Sequence, residues 1–125
     1  MKPESSQYIK KARKLLLGAS AMLTINLYED AGRNAYLAGF NAARAFVYEE
    51  NDKVFRSHVG LRGEFSRLLK DDPRIDHHMR GFLGRAYNFK IMLIMKRAPT
   101  PKLQRGGLLQ LLKKAKNLFL WLNLF

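Results

Sequence analysis

Residues 28–50, YEDAGRNAYLAGFNAARAFVYEE, decide the fold. Ala31, Ala35, Ala38, Ala42, Ala43 and Ala45 recur three and four apart among Tyr36, Phe40 and Phe46. That is the period of a helix, and small residues at this spacing let a neighbouring helix approach closely. Upstream, residues 4–24 carry the same period in Tyr8, Ala12, Leu15, Leu16, Ala19, Met22 and Leu23, with Ser5 or Ser6 as the expected N-cap. The short break at Asn26 and Leu27 predicts an antiparallel hairpin. Downstream, residues 51–56 are a polar connection. Ser57 then caps a third helix reaching Leu69, with Val59, Leu61, Phe65, Leu68 and Leu69 inward. Asp71, Asp72 and Pro73 end it, and a fourth pattern over residues 74–95 carries Ile75, Met79, Phe82, Leu83, Ala86, Tyr87 and Phe89. Pro99, Thr100 and Pro101 break the chain before a fifth pattern over residues 103–125, apolar on nearly every side near its end. Nothing alternates with the period of a strand. The expectation is an all-α, four- to five-helix up-down bundle forming one domain over residues 1–125, in which residues 91–125 are atypical.

The 125 residues suffice for one core, and 47% hydrophobic with 26% charged residues is the composition of a folded chain. Cysteine is absent, which excludes disulfide scaffolds, thiolate metal sites and thiol nucleophiles. The net charge of +13 is concentrated at the C-terminal end: eight of the 23 basic residues and none of the 10 acidic ones follow Phe89. Such a chain attracts polyanions, either nucleic acid or acidic lipid, by counterion release and long-range attraction. The N-terminus is polar where a secretory signal needs an apolar run, and Lys113, Lys114 and Lys116 interrupt the last apolar stretch. A cytoplasmic protein with no membrane partner is therefore expected. A basic, membrane-surface tail is a third reading that rests on residues 103–125 alone.

No Walker loop, dinucleotide glycine pattern, His-Glu-x-x-His or Gly-x-Ser-x-Gly is present, and Gly106-Gly107 cradles nothing by itself. His77 and His78 are adjacent and cannot serve one metal from one helical side, so no metal site and no cofactor is expected. His58 stands at the start of the third helix with Arg56 and Arg62 near it, an arrangement suited to an anion. Lys10 and Lys14 on the outer face of the first helix, with Arg33, Arg44 and Arg85, are candidates for a phosphate track. Tyr36 and Tyr87 could offer stacking surfaces, although they fall on the apolar stripes and core packing explains them better.

Three pieces, YEDAGRNAYLAGFNAARA (28–45), RSHVGLRGEF (56–65) and FLGRAYNFK (82–90), resemble HEPN-domain proteins, and most nearly the small bacterial proteins once grouped as an uncharacterised family of about this length. The resemblance covers residues 1–90 in order. It implies a helical bundle that often dimerises and is frequently encoded beside a minimal nucleotidyltransferase in a toxin–antitoxin pair. A homodimer or a complex with a nucleotidyltransferase-type partner, and RNA as a further partner, are thus implied. Active members of the superfamily are metal-independent RNases bearing Arg, four to six residues, then His, near the start of the last long helix.

This chain departs from that pattern. Lys90 stands at the motif Arg position, no His follows His78, and Asn41 replaces a His that relatives often show. Lysine lacks the bidentate fork of arginine, and a site without His has no group poised near neutral pH. The expected function is a binding or partner module with a degenerate catalytic motif and no catalytic residue assigned. An active endoribonuclease and a basic RNA-binding bundle are the alternatives.

Relatives continue past the Lys90 position with a segment like Ala-Asp-Tyr-Glu-Thr-Gly-Pro. If residues 92–99 are encoded ATG CTG ATT ATG AAA CGG GCC CCG, the overlapping frame reads GCT GAT TAT GAA ACG GGC CCC, which spells that segment. A C-terminal third read in a shifted frame is expected to be amphipathic by accident and to leave Trp121 and Phe125 exposed.

Overall fold

In the computed structural model, residues 1–70, 72–73, 80–95 and 100–122 are described. Among them are five helices and no strand: α1 Pro3–Thr24, α2 Tyr28–Asn51, α3 His58–Leu69, α4 Phe82–Ile94 and α5 Pro101–Leu122. The chain is an all-α bundle.

Helix α2 is its centre, packing on all four others. All six alanines read from its sequence are buried, as are Tyr36, Phe40 and Phe46. The closest approach is at Gly39, where a methyl group would collide with the Phe82 ring of α4. Helix α5 covers another side of α2, through Leu108 beside Gly32 and through Trp121, whose ring centroid is 5.4 Å from that of Phe46. The small-residue face is therefore covered within one chain.

Local chemistry sets the helix ends. The Ser57 hydroxyl accepts a hydrogen bond from the Gly60 N–H at 3.1 Å, the N-cap expected of it. Thr100 does the same for Leu103 at 3.1 Å. Asp52 ends α2 in the left-handed region (φ 60°), its N–H donating to the Tyr48 carbonyl at 2.9 Å.

Four expectations are corrected. The N-cap of α1 is Lys2, not Ser5 or Ser6, because Pro3 fits the first helical position and carries Ser5 into the buried interior of the helix. Val59 is 79% exposed, since α3 meets the core along the narrow seam of Leu61, Phe65 and Leu69, four residues apart. The fourth pattern is interrupted by a turn at Gly81, and α4 starts at Phe82. Ile75 and Met79 lie outside the described residues. Trp121 is 7% exposed and packed, not solvent-facing, because its ring lies against the buried Phe46 ring of α2. Phe125 lies outside the described residues. Among the described residues no helix is long and apolar enough to cross a membrane.

Candidate nucleic-acid interface

Three helices meet at His58. Ser57 starts α3 so that His58 is its first residue, and the imidazole comes to lie flat on Tyr87 of α4, with ring centroids 4.1 Å apart and planes 19° from parallel. Nδ1 of the same ring is 2.9 Å from the Tyr36 hydroxyl of α2. Tyr36 and Tyr87 meet edge to face at 5.6 Å, and the Lys90 ammonium stands 4.6 Å from both ring centroids. Arg62, one helical turn after His58, lays its guanidinium against Gly84 of α4, where a methyl group would be 3.1 Å from Cζ. Glycine at this position leaves the guanidinium room to lie close to the α4 backbone.

The electrostatics follow from this crowding. Burial, then the charges of Arg62 and Lys90, hold the His58 imidazole below its ordinary value of 6.5, so the ring is neutral at pH 7. Burial, with Tyr87 beside it, pushes the Tyr36 phenol up to about 12, so its proton stays on. The pair has two arrangements. With Tyr36 donating to Nδ1, Nε2 carries the ring proton and can donate to an anion; with Nδ1 donating to Tyr36, Nε2 has a lone pair and can accept a proton. The charges of both cations act on the same imidazole, and a phosphate arriving there would meet both.

The candidates read from sequence divide accordingly. His58 and Arg62 are brought together with Lys90. Lys10 and Lys14 remain exposed on α1. Arg33 is exposed and paired with Glu29 at 3.0 Å, four residues earlier on its own helix. Arg44 is half-buried, with its guanidinium 4.4 Å from the Tyr8 ring centroid and Nη2 3.3 Å from the Tyr8 hydroxyl. Arg85 is half-buried on α4. Asn41 is buried, its side-chain amide donating to the Leu37 carbonyl of its own helix at 2.8 Å. His77 and His78 lie outside the described residues.

Sequence reasoning missed one juxtaposition. It expected no titratable group beside Lys90 because no His follows it, whereas the fold supplies His58 from α3. Tyr36 is 5% exposed, so the expected core role holds for it, while Tyr87 is half-buried with one face taken by the imidazole. No family model matches the chain, and no curated protein matches it.

Proposed function

We propose that the chain is a HEPN-like binding module of a toxin–antitoxin or nucleotidyltransferase-linked system, acting in the cytoplasm as a homodimer or with its partner, and that RNA is the polyanion it holds. The observation that carries the RNA assignment is the His58 cluster. It combines two cations, a proton-bearing ring and a stacking tyrosine within one junction, with no carboxylate among its five members. Phosphate is matched by Arg62 and Lys90, while the Tyr87 ring holds the imidazole on one face. The test is fluorescence anisotropy with single-stranded RNA. Affinity should fall steeply with salt, and Lys90→Ala should shallow the log K against log salt slope by about 0.7, the share of one phosphate contact on a single strand. A slope unchanged by both Lys90→Ala and Arg62→Ala would remove the cluster from the interface.

A second reading, metal-independent RNA cleavage, is favoured by one observation: burial and the charges of Arg62 and Lys90 hold the His58 imidazole below its ordinary value, beside those two cations. In that chemistry Nε2 takes the proton of a ribose 2′-hydroxyl, whose oxygen attacks the adjacent phosphorus to form a 2′,3′-cyclic phosphate as the P–O5′ bond breaks and the 5′-oxygen takes up a proton from water. Labelled RNA incubated with the protein in EDTA separates the readings. The binding reading expects intact RNA. Cleavage that is lost in His58→Ala and with a 2′-deoxy substrate would establish the second.

A further inference from the structure

A groove of about 260 Å³ runs along the seam between α1 and α5. Leu23, Leu109 and Leu112 form its apolar part, and Arg105, Lys113 and Lys116 its charged part. Leu23 and Leu112 are buried, whereas Leu109 is 50% exposed. The groove is the inner margin of a longer stripe. Lys102, Arg105, Leu109, Lys113, Lys116 and Leu120 are spaced three and four apart along α5, which puts them on one side, and all six are exposed. The opposite side of the helix is the one that buries Leu108, Leu111, Ala115 and Leu118.

Charge and shape together identify what fits this face. Helix α5 contains no acidic residue, and none occurs after Asp76, so four cations stand on the stripe with no carboxylate on their own helix. Leu109 and Leu120, the latter 67% exposed, alternate with them, and Leu17 of α1 is a third exposed leucine on the neighbouring helix. The stripe itself has no aromatic ring on which a base could stack. A nucleic acid would reward the cations and leave the leucines in water, whereas an acidic bilayer rewards both. Lipid phosphates meet the ammonium and guanidinium groups, and leucines enter the headgroup boundary. The helix is about 33 Å long at 1.5 Å per residue, enough to lay several turns on a membrane plane.

We propose that the exposed face of α5, with the α1 seam, docks in the plane of a bilayer containing acidic phospholipids. Lys102, Arg105, Lys113 and Lys116 contact phosphates, and Leu109 and Leu120 enter the interface. This is association with a surface, not a span, and it involves a part of the molecule other than the His58 junction.

The experiment is co-sedimentation of the full chain with vesicles of phosphatidylcholine alone or mixed with phosphatidylglycerol. Binding is expected to the mixed vesicles and not to phosphatidylcholine. Removing two surface lysines, Lys113→Ala with Lys116→Ala, should weaken it about thirtyfold. Leu109→Asn, at a half-exposed position, should weaken it severalfold with charge unchanged. A charge-matched control away from the face, Lys11→Ala with Lys70→Ala, should change it by no more than a few fold. Emission from buried Trp121 verifies in each variant that α5 remains packed. Equal losses in the two lysine pairs would reduce the effect to net charge and overturn the proposal, as would absence of binding to mixed vesicles or indifference to Leu109→Asn. If the Lys113 and Lys116 variant lost RNA affinity and kept vesicle binding, the face would be a nucleic-acid track instead. If Leu109→Asn abolished a self-association seen by sedimentation and left vesicle binding intact, the occupant would be a second copy.

Discussion

Replacing Trp121 by alanine tests whether the C-terminal helix belongs to the folded unit. The indole is 7% exposed and its centroid is 5.4 Å from that of Phe46, which in turn meets Phe65 edge to face at 5.8 Å. Truncation removes the largest side chain of α5 from its place against the buried Phe46 ring, which the buried Phe65 ring backs and keeps from collapsing into the space. Truncations of this kind cost about 3–5 kcal/mol. The whole chain should have about 6–19 kcal/mol of stability, at about 0.05–0.15 kcal/mol per residue. With a urea dependence of about 1.5 kcal/mol per molar, the midpoint should fall by roughly 2–3 M. Leu120, the preceding residue, is 67% exposed and is the internal control: Leu120→Ala should stay within about 0.5 kcal/mol. A double-mutant cycle with Phe46→Leu should show coupling of about 0.5–1.5 kcal/mol between the two rings. If Trp121→Ala cost no more than Leu120→Ala, the end of α5 would be frayed in solution, and the packing described for it would be wrong.

Gly39→Ala should destabilise by about 1–3 kcal/mol, because the new methyl meets the Phe82 ring, itself buried and unable to retreat. Gly63→Ala in α3, with nothing within 4 Å of the added carbon, should instead stabilise by about 0.5–1 kcal/mol; thermal melts of the two variants moving the same way would refute the α2–α4 approach. Ser57→Ala should cost about 1 kcal/mol through the lost bond to the Gly60 N–H, read by urea titration, and no change would place the cap elsewhere. His58 has a lowered value in the fold, so the unfolded chain binds the proton more readily, and its contribution to stability is present above pH 6.5 and lost as pH falls from there through the folded value. An NMR titration should place the imidazole midpoint below 6.5 in the free protein and higher with RNA bound, so that RNA affinity increases on acidification; a free midpoint above 6.5 would contradict the crowding by Arg62 and Lys90.

The parts of the fold that could be read in advance are those in which the local chain decides the outcome. The alanine ladder of α2 implies a close partner whatever that partner is, since side-chain size at a fixed period controls how near another helix can come. Ser57 caps α3 through a contact three residues long. The failures involve a choice among local signals that only the packed molecule makes. Pro3 and Ser5 both favour a helix start, and Pro3 prevails because starting there brings the backbone N–H of Lys2 to Glu49 at 2.9 Å and its ammonium to Asp52 at 2.8 Å. Val59 has the residue type of the core, yet α3 touches its neighbours on one narrow seam and Val59 is off it.

The His58 junction was illegible for a different reason. Read as a linear motif, the chain has Lys90 and no following His, but the chemistry requires proximity in space rather than order along one helix. Here α2 contributes Tyr36, α3 contributes His58 and Arg62, and α4 contributes Tyr87 and Lys90. All five lie within residues 36–90. Helix α5 meets α2 elsewhere, through Leu108 near Gly32 and Trp121 on Phe46. Covering a core needs apolar side chains of about the right volume at helical spacing, a loose requirement that many sequences satisfy. Holding an imidazole between a phenol and two cations is a strict one. A C-terminal third read in a shifted frame would thus be able to close the bundle without having been shaped for it, while the junction would retain the chemistry of the original reading frame. The coding DNA decides between the two histories: an overlapping frame across codons 92–99 that fails to encode the Ala-Asp-Tyr-Glu segment means that α5 and its basic face must be explained on their own terms.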